Sequence, residues 1–534
     1  IEKYLHGSRK DFYSPWLLKD MEKAVAILQE KIENRNRIRI IGDYDIDGIC
    51  SIYILFCGLK AAGADVDYVV PHRINDGYGI NEHLIDNAIN EGIDTIVTCD
   101  NGIAAMNEIA YGKENGMTIV VTDHHEVPYL EENGKKKYLL PPADAVVDPH
   151  RADCEYPFKG LCGAAVAYKL VEVLYRVSGK SEQEVEHLQE SLMENVAIAT
   201  IGDVMDLVGE NRVFVKKGLE LLKTTKNEGL HALMQCTGVD TANLNTYHIG
   251  FVLGPCINAG GRLDTAKRAL ELLNASNRRE AVTLAADLKE LNDSRKEMTE
   301  EGVEEAVQQI ESSSWKDDQV LVVYLPECHE SIAGIIAGRI KERYYRPTCV
   351  LTKGETGVKG SGRSIEAYDM FAEMSRCREL FTKFGGHKLA AGLSLEEENV
   401  EVFRKRINEL ADLTEEDLQM KVSIDMRLPF PYINEELIHE LKILEPFGKG
   451  NGKPLFAESK LRVIQPRIFG KNRNVLKCRL EDQQGNQMEA VYFGEVEDCL
   501  RQMEKKQIMS FTYYPSINEY MGRRTIQLTI VNYQ

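Results

Sequence analysis

Short runs of β-branched residues recur through the first third of the chain, at Arg37 to Ile41, Asp67 to Val70, Thr95 to Thr98, Thr118 to Val121 and Ala145 to Val147. The segments between them carry apolar residues at helical spacing, an alternation that predicts βαβ units and a parallel sheet covered on both faces. A second α/β pattern starts at Gln319 to Tyr324, passes through the small-residue stretch Ser331 to Ile340, reaches an apolar run at Thr348 to Thr352 and ends near Leu413. Between the two patterns, Leu263 to Ser313 is rich in Ala, Leu, Glu, Lys and Arg, with no proline and the single glycine Gly302, which predicts a long helical connector. Further on, strand-like runs at Lys460 to Ile464, Val475 to Leu480, Met488 to Phe493, Ser510 to Tyr514 and Thr525 to Val531 alternate with turn signals and predict a small barrel. The expected domains are 1–215 (an N-terminal segment and a catalytic domain), 216–314 (connector), 315–415 (second α/β domain) and 416–534 (barrel).

Composition narrows the class. A chain of 534 residues has room for three or four domains, and 43% hydrophobic with 28% charged residues is the balance of an ordinary globular protein. No window approaches 18 uninterrupted apolar residues and no basic-then-apolar leader opens the chain, so neither a membrane partner nor export is expected. The 12 cysteines are scattered singly without a CxxC pair, which fits reduced thiols in the cytoplasm and neither disulfides nor zinc. A net charge of −19 argues against a nucleic-acid binder, yet Lys421 to Gln534 holds 17 basic and 14 acidic residues. An acidic body with a mildly basic tail suits a metal-binding enzyme joined to a polyanion-holding module.

The candidate chemistry gathers at the ends of the first set of apolar runs, where an open α/β sheet places its crevice. GDYDIDGI, Gly42 to Ile49, sets Asp43, Asp45 and Asp47 at alternate positions, and oxygen-rich ligands suit Mg²⁺ or Mn²⁺. A calcium loop beginning at Asp43 would need Glu at its twelfth position, which is Ile54; a polar turn with helix-capping aspartates remains the bland alternative. TCDNGI contributes Asp100, TDHHEVP contributes Asp123, His124 and His125, and ATIGDVMDL contributes Asp203. Three adjacent titratable groups at a strand end cost desolvation unless they face solvent, a metal or one another, so a two-metal hydrolytic centre is the economical reading.

The order DYDIDG, CDNG, DHH, GDVMDL resembles the four motifs of the DHH phosphoesterase superfamily. SGRS at Ser361 to Ser364 and GGHKLAAG at Gly385 to Gly392 are similar to its DHHA1 companion domain. NAGGRL at Asn258 to Leu263 and LEPFGKGNGKPLF at Leu444 to Phe456 resemble segments of the RecJ family of bacterial exonucleases specific for single-stranded DNA, and the resemblance runs from about Ile38 to the end of the chain. It implies a DHH-type parallel-sheet catalytic domain, a long helix, a DHHA1 α/β domain and an OB-fold β-barrel. It also implies 5′-to-3′ release of 5′-mononucleotides by phosphodiester hydrolysis, in DNA repair and recombination.

On the same resemblance Asp45 and Asp47 each ligate one of two Mn²⁺ or Mg²⁺ ions, Asp100 bridges both, and His124 and Asp203 complete the coordination of the second ion. Asp43 is a further ligand or a support, His125 contacts the scissile phosphate and Asp123 orients its neighbouring histidine. The superfamily often has a histidine four residues before the first chelating aspartate; here that position is Ile41.

Substrate binding is assigned to Arg262, to Ser361, Gly362, Arg363 and Ser364, and to Gly385, Gly386 and His387. Glycines let backbone N–H groups approach an anion, and Arg363 offers a bidentate fork; for each glycine pair a tight turn is the alternative. Ser331 to Ile340 reads as a packed helix with Arg339 its one exposed contact. Arg467, Phe469, Lys471, Arg473 and Lys477, with Tyr492, Phe493, Tyr513 and Tyr514, suit a single-strand path on which bases stack. About half of these aromatics belong to the core, since Tyr513 and Tyr514 must face opposite ways. The implied partners are single-stranded DNA, a single-strand-binding protein and a RecQ-type helicase, with a monomeric enzyme. Two rival readings stand beside this one: a phosphodiesterase of short oligoribonucleotides or cyclic dinucleotides, and a non-catalytic replication scaffold.

Overall fold

The structure, a computed structural model, describes residues 1–534 apart from 73–78, 133, 264, 355, 356, 471, 472 and 521, so Lys471 lies outside the described residues. The chain forms two bodies: Phe12–Met205 with Lys217–Met420, and Ile1–Asp11 with Asp206–Lys216 and Lys421–Gln534.

The first body opens on a sheet of β1 (Arg37–Gly42), β2 (Asp65–Val69), β3 (Thr95–Cys99), β4 (Thr118–Thr122) and, beyond a short hairpin of β5 (Tyr129–Glu132) and β6 (Lys135–Tyr138), β7 (Ala145–Val147). The order is β2-β1-β3-β4-β7 with every pairing parallel. β3 is buried at all five positions, Thr95 and Thr98 among Ile96, Val97 and Cys99, as in a strand covered on both faces. On one face the helices Ile46–Ala61, Gly163–Val177 and Glu182–Gly202 pack on one another. On the other, Ile41, Ile96, Ile119 and Val121 join Leu84, Ile85 and Ile109 in a core.

Glu194 is buried in the helix Glu182–Gly202, where its Oε1 accepts a bond from Thr225 Oγ1 at 2.9 Å. Burial pushes this carboxyl up to about 7 from 4.5. A carboxyl raised on folding contributes stability that is present below its unfolded pKa and lost as pH rises through the folded value. Glu194→Gln keeps the acceptor for Thr225 and removes the charge. We expect it to be more stable than the parent by about 2 to 3 kcal/mol at pH 8 to 9 and indistinguishable near pH 4.5, by urea unfolding; equal stability at both pH values would refute the assignment.

Between Leu263 and Ser313 the chain forms a short helix, Lys267–Leu273, and then the expected long one, Arg278–Glu311. Asn277 ends the continuity: it is extended, and its side chain accepts from Glu280 N at 3.0 Å as the cap of the second helix. The 34-residue helix buries Ala281, Ala285 and Leu288 in its first half and Gly302, Ala306 and Ile310 in its second. Its second half packs on the helix Ala333–Tyr344, and a Cβ at Gly302 would lie 2.5 Å from Ile336 Cδ1, so glycine permits the approach. That helix covers a second sheet of β8 (Leu321–Tyr324), β9 (Thr348–Lys353), β10 (Val358–Arg363), β11 (Phe381–His387) and β12 (Ala390–Leu395), in the order β11-β12-β10-β9-β8.

In the second body β13 (Met426–Arg427) precedes β14 (Phe456–Phe469), β15 (Val475–Glu481), β16 (Gln487–Tyr492), β17 (Ile508–Tyr520) and β18 (Arg523–Tyr533). The ring β14-β15-β16-β18-β17 closes through a β14–β17 pairing, giving a five-stranded barrel. LEPFGKGNGKPLF is a clasp in this body. Arg212, 3% exposed, donates to the carbonyls of Tyr4 (2.8 Å) and Glu445 (2.8 Å) and lies 4.1 Å over the Tyr4 ring, while Asn451 accepts from Tyr4 Oη at 2.7 Å. All twelve cysteines are free, and among the described residues no helix is long and apolar enough to cross a membrane.

Candidate metal centre and substrate cleft

The connections from β1 to β2 and from β1's other neighbour β3 onward run in opposite senses, so the carboxyl ends of β1 and β3 flank a topological switch point. Asp43 and Asp45 follow β1, Asp100 follows β3, and Asp123, His124 and His125 follow β4. Asp45 is also a helix cap: its Oδ1 accepts from Asp47 N at 2.9 Å and Gly48 N at 3.1 Å. Asp47 is wholly buried, and Gly163 N and Ala164 N donate to its two oxygens at 2.7 and 2.8 Å. The amino end of the helix Gly163–Val177 thus fixes the position of Asp47. Asp203 closes the helix Glu182–Gly202, and Val204 after it takes φ 55°, a strained conformation for a β-branched residue. Asp100 itself sits at φ 58°.

The carboxylates and histidines of the four motifs meet. Ligand atoms of Asp43, Asp45 and Asp100 lie within 4.8 Å of one another, as do those of Asp47, His124 and Asp203, and those of Asp100, His124 and His125. His124 Nε2 is 3.0 Å from Asp100 Oδ1, 3.4 Å from Asp47 Oδ2 and 3.8 Å from Asp203 Oδ2. Ile41 is fully buried in the core of the sheet, and Asp43 stands beside Asp45 and Asp100.

The electrostatics follow from crowding. Burial, and then the charges of Asp47, Asp45, Asp43 and Asp123, hold Asp100 well above the usual carboxylate range. Burial and Asp47 raise Asp45 likewise, and burial lowers His124. Burial acts against ionisation of Asp123 and His125 too, but their mutual bond, Nδ1–H donating to Oδ1 at 2.7 Å, outweighs it. Asp123 falls below its ordinary value and His125 rises to about 9. Packed acids that push one another toward protonation, with an imidazole nitrogen among them, are a donor set that fits divalent cations of the Mg²⁺ and Mn²⁺ type.

A cleft of about 830 Å³ in the same body is lined by Tyr44, Arg262, Ser331, Gly334, Ser361, Arg363, Lys383 and Gly385 among others. Arg363 Nη1 donates to Ser361 Oγ (2.9 Å) and Gly362 O (2.7 Å), and Arg262 Nη1 donates to Ser331 O (2.9 Å). A Cβ at Gly261 would fall 2.4 Å from the Tyr44 carbonyl, so the glycine pair lets Arg262's helix lie against the first aspartate loop. The structure does not bring all expected residues into this cleft. Gly362, Ser364, Gly386 and His387 do not line it; Ser364 is buried and donates to Tyr368 O at 2.7 Å. The glycine pair Gly385–Gly386 forms no tight turn: it continues β11 at the sheet edge, paired with Gly392 and Ala391.

Several participants escaped sequence reasoning. The segment Ser331 to Ile340, read there as packing, turns Ser331, Ala333, Gly334 and Ile335 into the cleft. Asp148, fully buried after β7, is pushed up to about 8 by burial and by Asp123; an acid directly after a strand-like run was the available signal. Tyr247 and Phe251, which line neither the acid cluster nor the cleft, stack at 5.2 Å with 60% and 69% of their surfaces exposed, one helical turn apart. In the barrel body Arg467, Phe469, Lys477 and Phe493 are exposed, with Lys477 5.8 Å over the Phe469 ring, whereas Tyr513 is core and Tyr514 faces outward beneath Lys453.

Residues 37–200 match the model of the DHH family N-terminal domain, 317–412 that of the DHHA1 domain and 424–532 that of the RecJ OB domain. The single-stranded-DNA-specific exonuclease RecJ of Haemophilus influenzae is 34% identical over 99% of this chain and 93% of its own length. The chain belongs to the RecJ family. RecJ of Escherichia coli is 34% identical over 97% of the chain and 91% of that protein. RecJ of Bacillus subtilis is 35% identical over 99% of the chain, which spans 65% of that longer relative. Among solved structures, RecJ of Thermus thermophilus in complex with Mn²⁺ superposes with a TM-score of 0.82 at 28% identity, covering 100% of this chain and 75% of that one. Its Mg²⁺ complex gives 0.76 at 26% identity, covering 97% and 70%. The architecture expected from the sequence, a parallel-sheet domain, a DHHA1 domain and an OB-fold barrel, is that of the RecJ family.

Proposed function

We propose that the protein is a 5′-to-3′ exonuclease of single-stranded DNA that hydrolyses phosphodiester bonds and releases 5′-mononucleotides with two Mn²⁺ or Mg²⁺ ions. The observation that carries this reading is the convergence of Asp43, Asp45, Asp47, Asp100, His124 and Asp203 at one switch point of a RecJ-family chain. Asp43, Asp45 and Asp100 would hold one ion and Asp47, His124 and Asp203 the other, with Asp100 shared. When bound, such ions supply an acidified water as nucleophile and charge compensation at phosphoryl oxygens. The remaining work belongs to side chains. His125 commits Nδ1 to Asp123, which holds its imidazole in place, and the ring would face a phosphoryl oxygen of the substrate. Arg363 and Arg262, with the glycine-lined edge at Gly385, would grip phosphates along the cleft.

The division of labour follows the expected domains: catalysis in 1–215, the connector in 216–314, substrate binding in 315–415 and strand binding in the barrel of 416–534. A monomer in the cytoplasm, acting with a single-strand-binding protein and a RecQ-type helicase in repair and recombination, is the setting the family resemblance favours; twelve free thiols suit that reducing compartment.

Single strands labelled at either end test the whole reading. Mononucleotide should leave the 5′ end first, EDTA should stop it, and blunt duplex should persist. Digestion confined to dinucleotides would favour the small-substrate reading, and no turnover with any divalent ion would favour the scaffold. Within the cleft, Arg363→Ala should raise KM for single strands about 10- to 100-fold, the value of a charge-assisted bond, and Arg363→Lys should restore only part of it because the fork is lost. An unchanged KM in both variants would remove Arg363 from the substrate path.

A further inference from the structure

The hairpin β5–β6 leaves the loop that carries the histidines and folds back on itself in solvent. Every described residue of both strands is exposed, and Tyr129, Leu130, Tyr138 and Leu140 each keep 40–50% of their surface open. An isolated two-stranded hairpin is marginal in water, and contiguous exposed apolar side chains mark an interaction surface.

The register sorts the side chains. Tyr129 pairs with Tyr138 and Glu131 with Lys136 on one face, and Leu130 pairs with Lys137 and Glu132 with Lys135 on the other. The two tyrosine rings meet edge to face at 5.9 Å, and Lys136 Nζ lies 4.1 Å over the Tyr129 ring. Leu139 N donates to Pro128 O at 2.7 Å and closes the hairpin's base. Tyr129 is four residues on from His125, so the base is within about 14 Å of the histidine loop even at full extension.

We propose that the tyrosine face of this hairpin is an auxiliary grip for the single strand running past the metal centre, with bases stacking on Tyr129 and Tyr138 and Lys136, on the same face, reaching its phosphates. The inference rests on the reading of the protein as a single-strand exonuclease. A single strand fits better than a protein strand added to the hairpin's edge. Paired rings with the Lys136 ammonium 4.1 Å over one of them accept any base, whereas an added protein strand would pair with the hairpin's edge and leave both rings unused. The grip would act on long strands alone, since a dinucleotide held at the catalytic aspartates ends short of it.

The test compares the parent with Tyr129→Ser/Tyr138→Ser, with Lys136→Glu, and with Lys135→Glu/Lys137→Glu on the opposite face as a control expected to behave as the parent. Affinity for a fluorescent single strand is read by anisotropy in EDTA, and turnover with Mn²⁺ is read on a long strand and on a dinucleotide. The expected result in the first two variants is about a five- to tenfold weaker affinity and higher KM for the long strand, with dinucleotide turnover unchanged. Unchanged affinity for the long strand overturns the proposal and leaves the hairpin to a protein partner. Equal loss on both substrates also overturns it, because the hairpin would then only support the histidine loop. Failure of the parent to digest any single strand is a failure of the functional reading, and the anisotropy comparison still decides the grip.

Discussion

Asp100→Asn should abolish exonuclease activity, by at least about a thousandfold, and should at the same time raise the melting temperature of the metal-free protein. Both effects have one cause. Asp100 is 3% exposed, and its carboxylate faces the charges of Asp47, Asp45, Asp43 and Asp123, which together with burial hold its pKa well above the ordinary range. Without a cation the raised pKa makes this carboxyl a cost to folding that grows with pH: the contribution it makes in acid is lost as pH rises from its unfolded toward its folded pKa. Asparagine removes the charge at equal size. It also tolerates the backbone at φ 58°, where alanine would add strain and confuse the measurement. Mn²⁺ should stabilise the parent in proportion to its occupancy and the variant much less. Melting curves at pH 7.5 with EDTA and with Mn²⁺, beside digestion of an end-labelled strand, read all three outcomes. Activity within tenfold of the parent would remove Asp100 from the centre, and a lower melting temperature in EDTA would show that carboxylate crowding is not what the fold carries there.

The acids of this centre were legible because they break the pattern that surrounds them. β3 is buried throughout and carries no charge, and Asp100 directly after it has no packing reason to be there; Asp43 after β1 and Asp123 after β4 likewise follow largely buried strands. What the chain hides is how those acids are held. Asp47 is anchored by Gly163 and Ala164, more than a hundred residues away, and no local spacing announces that two backbone N–H groups will converge on it. Arg212 and Tyr4 joining the loop 443–451 is hidden for the same reason. The connector's break at Asn277 is a local event, but one capping side chain is a faint signal inside a helix-forming run. The barrel strands proved longer than their apolar runs because much of their length is exposed. β14 even passes through Pro466, at an irregularity where its register with β15 shifts between Ile464 and Arg467 and no ladder donor is needed. Gly385 and Gly386 were ambiguous in principle, since two glycines suit a turn and an open sheet edge equally well.

The anchoring of Asp47 gives the second large effect. Gly163→Ala should lower kcat about a hundredfold and destabilise the first body, although alanine is the better helix former by roughly 1 kcal/mol. Gly163 is the first residue of its helix, and a Cβ built there lies 2.8 Å from Asp100 Cβ, 3.0 Å from its Oδ1 and 3.1 Å from its Cα. The Cα belongs to a backbone already held at positive φ, so the side chain of Asp100 cannot simply swing aside. One of two adjustments must follow. The helix withdraws and stretches the bonds of 2.7 and 2.8 Å from Gly163 N and Ala164 N to Asp47, or Asp100 moves away from His124. Either shifts one carboxylate of the centre, and displacements near 1 Å cost on the order of a hundredfold in rate, with overpacking adding roughly 1 to 3 kcal/mol of instability. Gly338, inside the helix Ala333–Tyr344 with nothing within 4 Å of a built Cβ, supplies the control. Gly338→Ala should stabilise the protein by up to about 1 kcal/mol and leave kcat alone. If Gly163→Ala behaved like Gly338→Ala, the tight approach of that helix to Asp100 would have no part in catalysis. A loss of kcat with a weakened Mn²⁺ titration would place the amino end of the helix among the elements that set the geometry of the centre.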